Sequence, residues 1–285
     1  MVLIADSGST KCDWVLVDGD KRLDFSTMGF NPFFHNEEII SNAIKNNTEL
    51  YSHSNDVKLL FLYSAGCSSK QLKLVVERGL RLCFPKANIY VDHDLVAAAF
   101  ATYSGKPGIS CIVGTGSNSC YFDGDIVKEQ VPALGYILGD EGSGSYFGKK
   151  VLADFLYKKL PEQLHDNLVE KFGLNKDVIF EHVYMRPHAN VYLASFMKAI
   201  SENKDLEYVQ KMIFDGMVHF MQNHVCCFAN YKKLPVHFIG SIAFYHEETL
   251  RKAADSLGIT VGNIIQKPIY GLVDYHVNYL IPKNN

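Results

Sequence analysis

Two segments of the chain open in the same way. An apolar strand at residues 2–5 runs into Ser7-Gly8-Ser9, continues as a second strand at 13–17 and closes at Asp18-Gly19. Farther on, an apolar strand at 109–113 runs into Gly114-Thr115-Gly116-Ser117, continues at 118–122 and closes at Asp123-Gly124. Asp-Gly between alternating strands is a strong hairpin signal. A repeated opening dictates architecture, because each copy must bury its own sheet. The 285 residues therefore divide into two α/β domains, with the boundary in the breaker cluster Ser104-Gly105-Lys106-Pro107-Gly108.

The remaining pattern alternates. Asn36 before Glu37 and Glu38 predicts a capped helix that buries Ile39, Ile40, Ala43 and Ile44. Residues 57–63 form an unbroken apolar run, suited to a buried parallel strand. Ser68 or Ser69 caps a helix with Leu72, Val75, Val76, Leu80 and Cys83 at helical spacing. A strand at 88–91 leads to an alanine-rich helix at 94–103. In the second half, helices dominate 145–231, with Val151, Leu152, Phe155 and Leu156 as the apolar face of the first. A strand at 235–239 ends in Gly240-Ser241, followed by a helix at 246–257, a strand at 259–265 and a last helix at 269–280 after Pro268. This alternation predicts an α/β protein with largely parallel sheets.

Composition excludes several classes. Lys and Arg number 28 against 31 Asp and Glu, a net charge of −3. No excess of cations exists to displace phosphate counterions, so a nucleic-acid partner is not expected, nor is a polybasic membrane contact. No apolar stretch approaches the 18 residues of a spanning helix, and the apolar start meets Asp6 with no basic segment before it, unlike a signal peptide. The seven cysteines are odd in number and contain no Cys-x-x-Cys pair, which points to reduced thiols and a soluble, cytoplasmic protein.

Five short segments carry chemistry. In Asp6-Ser7-Gly8-Ser9-Thr10, backbone N–H groups of a glycine turn can cradle a phosphate, Thr10 adds a hydroxyl, and Asp6 can hold Mg²⁺ directly or through water. Gly114-Thr115-Gly116-Ser117-Asn118-Ser119 offers the same turn in the repeated position, without the aspartate. Gly139-Asp140-Glu141-Gly142-Ser143-Gly144 sets two carboxylates among glycines before a helix. Helix-dipole preference explains such acids equally well, but they could also accept hydrogen bonds from a polyol. Asp92-His93-Asp94 falls at a strand end, where ligands of parallel sheets bind; Asp94 is either an N-cap or a base for an attacking hydroxyl, with Asp92 its rival. Gly240-Ser241 joins a strand to a helix and suits a nucleotide platform.

In this order the five segments resemble the phosphate, connecting and adenosine motifs of the actin-like sugar kinase and chaperone ATPase superfamily. Within it the chain resembles the N-acetylglucosamine kinase family, grouped with the activator ATPases of the benzoyl-CoA-reductase type. The likeness runs from Asp6 to about Tyr275 and is most specific at 114–118 (GTGSN) and 139–144 (GDEGSG). Gly29-Phe30-Asn31-Pro32, Tyr63-Ser64-Ala65-Gly66 and Pro268-Ile269-Tyr270-Gly271-Leu272 are similar to further family segments. The resemblance implies two actin-like (ribonuclease H-like) domains facing each other across an interdomain cleft. One would be 1–104, joined by the C-terminal helix 269–285, and the other 105–268. It implies ATP contacts from Gly8, Ser9, Thr10, Thr115, Gly116, Gly240 and Ser241, with Asp6 positioning Mg²⁺. It implies a sugar site of Asn31, Ser64, Asp94, Ser117, Asn118, Gly135, Asp140 and Glu141, with Asp94 as the general base. The implied reaction is ATP-dependent phosphorylation of N-acetylglucosamine to its 6-phosphate, by a homodimer whose domains close on substrate.

Other outcomes stay open at this level. The family's glycine-aromatic-glycine segment reads Ala133-Leu134-Gly135 here, which leaves glucosamine and N-acetylmuramic acid as rival acceptors. An activator-type ATPase would need cysteines placed to hold an iron–sulfur cluster, and Cys226-Cys227 offers no such set. A sugar sensor of the same superfamily would carry a basic DNA-binding module, for which the strand starting at Val2 leaves no space ahead of the first loop.

Overall fold

The computed structural model describes residues 1–8 and 10–281, so Ser9 lies outside the described residues. The chain forms two compact units, Met1–Tyr103 with the chain from Pro268 onward, and Ser104–Lys267.

The first unit is built on a five-stranded sheet. Its strands are β1 (Val2–Ser7), β2 (Lys11–Asp18), β3 (Lys21–Met28), β4 (Leu59–Ser64) and β5 (Asn88–His93), in the order β3-β2-β1-β4-β5. β1, β2 and β3 form an antiparallel meander, and β4 and β5 extend it in parallel. Alternation along β1 sends Leu3 and Ala5 to one face and Ile4 to the other. Helices Glu37–Asn46 and Lys70–Arg81 cover the first face through Ile40, Ile44, Val76 and Leu80. Helices Asp94–Thr102 and Ile269–Tyr275 cover the other through Ala97, Ile269, Leu272 and Val273. These two helices approach backbone to backbone: a Cβ on Gly271 would lie 2.5 Å from the Ala101 carbonyl oxygen. The buried His276 ring ties the last helix to the sheet. Its Nδ1 lies 2.7 Å from the Leu272 carbonyl one turn earlier, so Nδ1 carries the proton and Nε2 accepts from the Tyr63 hydroxyl at 3.0 Å.

The second unit repeats that sheet. Its strands are β6 (Gly108–Val113), β7 (Ser117–Phe122), β8 (Val127–Lys128), β9 (Val236–Ile239) and β10 (Val261–Ile265). Read from the meander side the order is β8-β7-β6-β9-β10, the topology of the first sheet strand for strand. Between β8 and β9 stands a helical layer whose main members are Gly144–Leu156 and Glu207–His224, packed on one core with Phe147, Val151, Met217 and Phe220.

Expectation and structure differ in several places. Ile39, expected to be buried, is 40% exposed, because it lies off the Ile40–Ile44 stripe that faces the sheet. The sheets are mixed rather than largely parallel, because the short glycine turns after β1 and β6 and the Asp-Gly turns after β2 and β7 permit only antiparallel neighbours. β3 carries little apolar signal, since it is an edge strand with one buried side chain, Phe25. Of the two expected caps, Ser69 is the one used, accepting from the Leu72 N–H. Among the described residues no helix is long and apolar enough to cross a membrane.

Candidate active site

In the first unit strand register gathers the candidate residues at one sheet end. Asp6 lies beside Tyr63 and Tyr63 beside Asp92; one step on, Ser7 lies beside Ser64 and Ser64 beside His93. The carboxyl ends of β1, β4 and β5 are thus level, as parallel pairing requires. The segment after β3 crosses this end. Phe30 donates its N–H to Ser7 Oγ at 2.7 Å, and Ser64 Oγ donates to the Phe30 carbonyl. Asn31 follows at once, its Oδ1 accepting from the Phe33 N–H at 3.0 Å. Gly66, at φ +83°, sits against it: a Cβ there would lie 2.6 Å from Asn31 Oδ1. Asn31 and Ser64 are therefore neighbours, while Gly8 and Thr10 are exposed on the turn beyond Ser7.

The structure separates Asp92 from Asp94. β5 stops at His93, and Asp94 is the first residue of the next helix. His93, not Asp94, is the N-cap, with its Nδ1 3.4 Å from the Leu95 nitrogen. The same Nδ1 lies 3.0 Å from Asp94 Oδ1. Asp92 is engaged elsewhere, accepting from Lys73 Nζ at 2.5 Å and from the His93 N–H at 2.8 Å. Asp94 keeps its place beside Asp6. Desolvation, with the Asp94 and Asp13 carboxylates beside it, pushes the Asp6 carboxyl up to about 7.

In the second unit two loops are knitted together. Gly144 donates its N–H to the Gly114 carbonyl at 2.8 Å, and Ser145 to the Thr115 carbonyl at 3.1 Å. Asp140 Oδ1 accepts from the Ser117 N–H at 3.3 Å, and Ser117 Oγ donates to the Glu141 carbonyl at 2.8 Å. Asp140 adopts φ +56°, a left-handed backbone that costs an aspartate energy and that these surrounding contacts sustain. Burial pushes its carboxyl pKa up, against the Ser117 N–H, which lowers it. Asn118 is buried on β7. Gly240, at φ +119°, lies under the same sheet end; a Cβ there would sit 2.4 Å from the Val113 carbonyl. Beyond it Ser241 borders a cavity of about 420 Å³ with Met197, Ile242, Tyr245 and His246 in its wall. Gly135 starts the short helix Gly135–Leu138, which a Gly139 N–H to Gly135 carbonyl bond of 2.8 Å closes just before Asp140.

Two residues that no motif marked touch Glu141. Asn223 Nδ2 donates to Glu141 Oε1 at 3.1 Å, and His224 Nε2 lies 3.8 Å from Oε2. They are 82 and 83 positions away in the chain, and neither stands in a motif-like segment, so no local pattern could reveal them.

Comparison with known proteins now bears on this geometry. No protein-family model and no curated protein matches the sequence. Among solved structures, a candidate N-acetylglucosamine kinase from Porphyromonas gingivalis shares 36% identity, spans 98% of this chain and 100% of its own, and superimposes with a TM-score of 0.92. The chain belongs to the N-acetylglucosamine kinase-like family of the actin-like sugar kinases. A second candidate N-acetylglucosamine kinase, from Chromobacterium violaceum, shares the fold at TM-score 0.70 with 14% identity, over 96% of this chain and 98% of that one. A glucokinase of the ROK family from Streptomyces griseus, solved with glucose and AMPPNP, shares the fold more distantly, at TM-score 0.53 and 15% identity over 96% of this chain and 98% of that one. The two five-stranded sheets of one topology are this family's two actin-like folds.

Proposed function

We propose that the protein is an ATP-dependent sugar kinase that phosphorylates an amino sugar, N-acetylglucosamine, on its 6-hydroxyl. The observation that carries the reading is the arrangement at the end of the first sheet. Asp94 stands at the head of a helix, free of capping duty, beside a second acidic side chain and one residue beyond His93, the strand neighbour of Ser64. Asp92 is neutralised by Lys73. Such a carboxylate can accept a hydrogen bond from an acceptor hydroxyl and take its proton as the new O–P bond forms and ADP departs.

The other residues divide by chemistry. Gly8, Ser9 and Thr10 from the first unit, and Thr115 and Gly116 from the second, offer N–H and hydroxyl donors to phosphate oxygens. Ser241 borders a cavity that suits a nucleobase, and Gly240 precedes it at the end of β9. Asn31, Ser64, Ser117, Asn118, Gly135, Asp140 and Glu141 bind and orient the acceptor. Asp6 fits Mg²⁺: its desolvated carboxyl, crowded by other acids, has no compensating cation among the described residues, and Mg²⁺ takes one or two carboxylates with nucleotide oxygens and waters. When bound there, the ion would offset negative charge on the nucleotide phosphates. The reading includes a cytoplasmic homodimer, which light scattering would report as twice the 32.0 kDa chain mass.

ADP release measured across N-acetylglucosamine, glucosamine, N-acetylmuramic acid and glucose tests the proposal. The highest kcat/KM is expected for N-acetylglucosamine. Asp94→Asn should lower kcat about 10²–10⁴-fold, the range of general-base losses, with little change in ATP affinity. Wild-type turnover preferring another acceptor would replace the substrate. Full activity in Asp94→Asn would move the base elsewhere, first to Asp92 and then to Asp140.

A further inference from the structure

We infer that Asn223 and His224 are positioning residues that aim the Glu141 carboxylate at the acceptor sugar. The inference rests on the kinase reading and adds to it a control over sugar affinity supplied from a distant helix.

The loop carrying Glu141 is docked on the helix Glu207–His224 by its backbone. Gly142 has φ +69°, and a Cβ there would meet Phe220 Cβ at 3.0 Å and the Gly216 carbonyl oxygen at 3.2 Å. That contact fixes where Glu141 starts. The end of the same helix fixes where its side chain finishes. The Glu141 side chain is only 13% exposed, and its two oxygens face two different donors. Oε1 accepts from Asn223 Nδ2 at 3.1 Å, while Oε2 faces His224 Nε2 at 3.8 Å, longer than a hydrogen bond, so that the neutral ring acts on it as a dipole rather than as a charge. The Glu141 main chain is held as well, since its carbonyl accepts from Ser117 Oγ at 2.8 Å.

His224 is held for this task. Its ring stacks on Phe220 with centroids 5.2 Å apart and planes 17° apart. Its carbonyl accepts from Ser119 Oγ at 2.5 Å, one residue beyond Asn118 on β7. Its Nδ1 is buried with no hydrogen-bond partner among the described residues. A buried polar atom left unpaired is a cost that an apolar side chain of similar size would avoid. An imidazole here is explained by the nitrogen that faces Glu141 and not by packing. A free glutamate samples many rotamers and loses that freedom when it binds a sugar hydroxyl. Held from both sides, Glu141 meets the acceptor already oriented, and the gain appears as sugar affinity.

The test is steady-state kinetics of the full chain with N-acetylglucosamine and ATP varied separately. Asn223 is exposed, so Asn223→Asp keeps the fold while turning the donor into a repelling charge. It should raise the acceptor KM about tenfold, the size of one lost hydrogen bond to a charged group, with ATP KM unchanged and kcat within about twofold. His224→Gln places an amide N–H near the Nε2 position and should keep most of the affinity. His224→Asn places it near Nδ1, away from Glu141, and should raise the acceptor KM as Asn223→Asp does. Glu141→Gln should raise it at least as far. The inference is overturned if Glu141→Gln raises the acceptor KM while Asn223→Asp leaves it within twofold. It is also overturned if the Gln and Asn variants of His224 behave alike, or if Glu141→Gln has no effect. A wild-type protein with no sugar-dependent ADP release would instead overturn the kinase reading on which it stands.

Discussion

The two sheets share one topology, yet their glycine turns are built on opposite principles. The turn of the first unit, after Asp6, is open: Gly8 and Thr10 are exposed, and a Cβ on Gly8 would touch only the Lys11 carbonyl, at 3.7 Å. Its chemical weight lies in charge, with Asp6, Asp13 and Asp94 near one another. The turn of the second unit, after Val113, is closed, stitched to the 140–145 loop by backbone bonds from Gly144 and Ser145 and by Ser117 to Asp140 and Glu141. A Cβ on Gly116 would sit 2.9 Å from Asp140 Oδ2. One fold repeated twice therefore yields a turn bonded within its own strand meander, by Gly8 N–H to the Lys11 carbonyl at 3.0 Å and Gly29 N–H to the Thr10 carbonyl at 3.1 Å, with acids crowded beside it, and a turn stitched to a second loop. The first suits a cation and moving charge, and the second suits a fixed array of donors and acceptors.

The largest test of this contrast is Asp6→Asn. It removes a carboxylate that folding desolvates, so the metal-free protein should become more stable at pH 8. The shift of about 3 pKa units implied by a value near 7 caps the gain at about 4 kcal/mol. The same change should cut Mg²⁺-dependent turnover at least about 10²-fold. Urea unfolding in chelator and turnover across Mg²⁺ concentrations would check both. An Asp6→Asn protein less stable than wild type at pH 8 would show that the acids beside the first turn are not in conflict.

A second test reads the two units by pH. In the first unit, burial lowers His276 to about 4, so the folded state resists its protonation; that stability is present above about 6.5 and is lost as pH falls toward 4. Asp6, raised to about 7, acts oppositely, because the folded state holds its proton and loses stability as pH rises from about 4 to 7. The two nearly cancel. In the second unit, His246 is lowered to about 4 by burial and by Lys204, and burial lowers His224 and His237 as well, against a raised Asp140. Between pH 6.5 and 4 the second unit should lose about 3 kcal/mol or more and the first much less. Hydrogen exchange resolved by segment, in chelator, would measure it. Asp6→Asn should abolish the difference by leaving His276 unopposed; equal loss in both wild-type units would contradict the assignment.

The smallest test compares the glycines. Gly116→Ala must displace the Asp140 carboxylate and should destabilise by about 1–3 kcal/mol, the range for overpacking. Gly8→Ala meets an ordinary van der Waals contact and should stay within about 0.5 kcal/mol. Denaturant midpoints at constant slope would rank them, and a Gly8→Ala penalty as large as that of Gly116→Ala would mean that the first turn is packed too.

Local chemistry in the chain was enough to specify much of this protein. The doubled strand–turn–strand opening, the Asp-Gly closures, the Asn36 cap and the apolar run before Ser64 are short-range signals, and each corresponds to an element of the α/β fold. Each family motif likewise spans only a few consecutive residues. Tertiary structure decided what depends on partners far apart in sequence. It engaged Asp92 with Lys73 and left Asp94 beside Asp6, gave the N-cap to His93, set Asn31 against Gly66, and brought Asn223 and His224 to Glu141. A side chain's neighbours across a sheet or at the far end of a helix leave no period and no motif in the sequence. Those neighbours set which way the carboxylates of the candidate site point and what they touch.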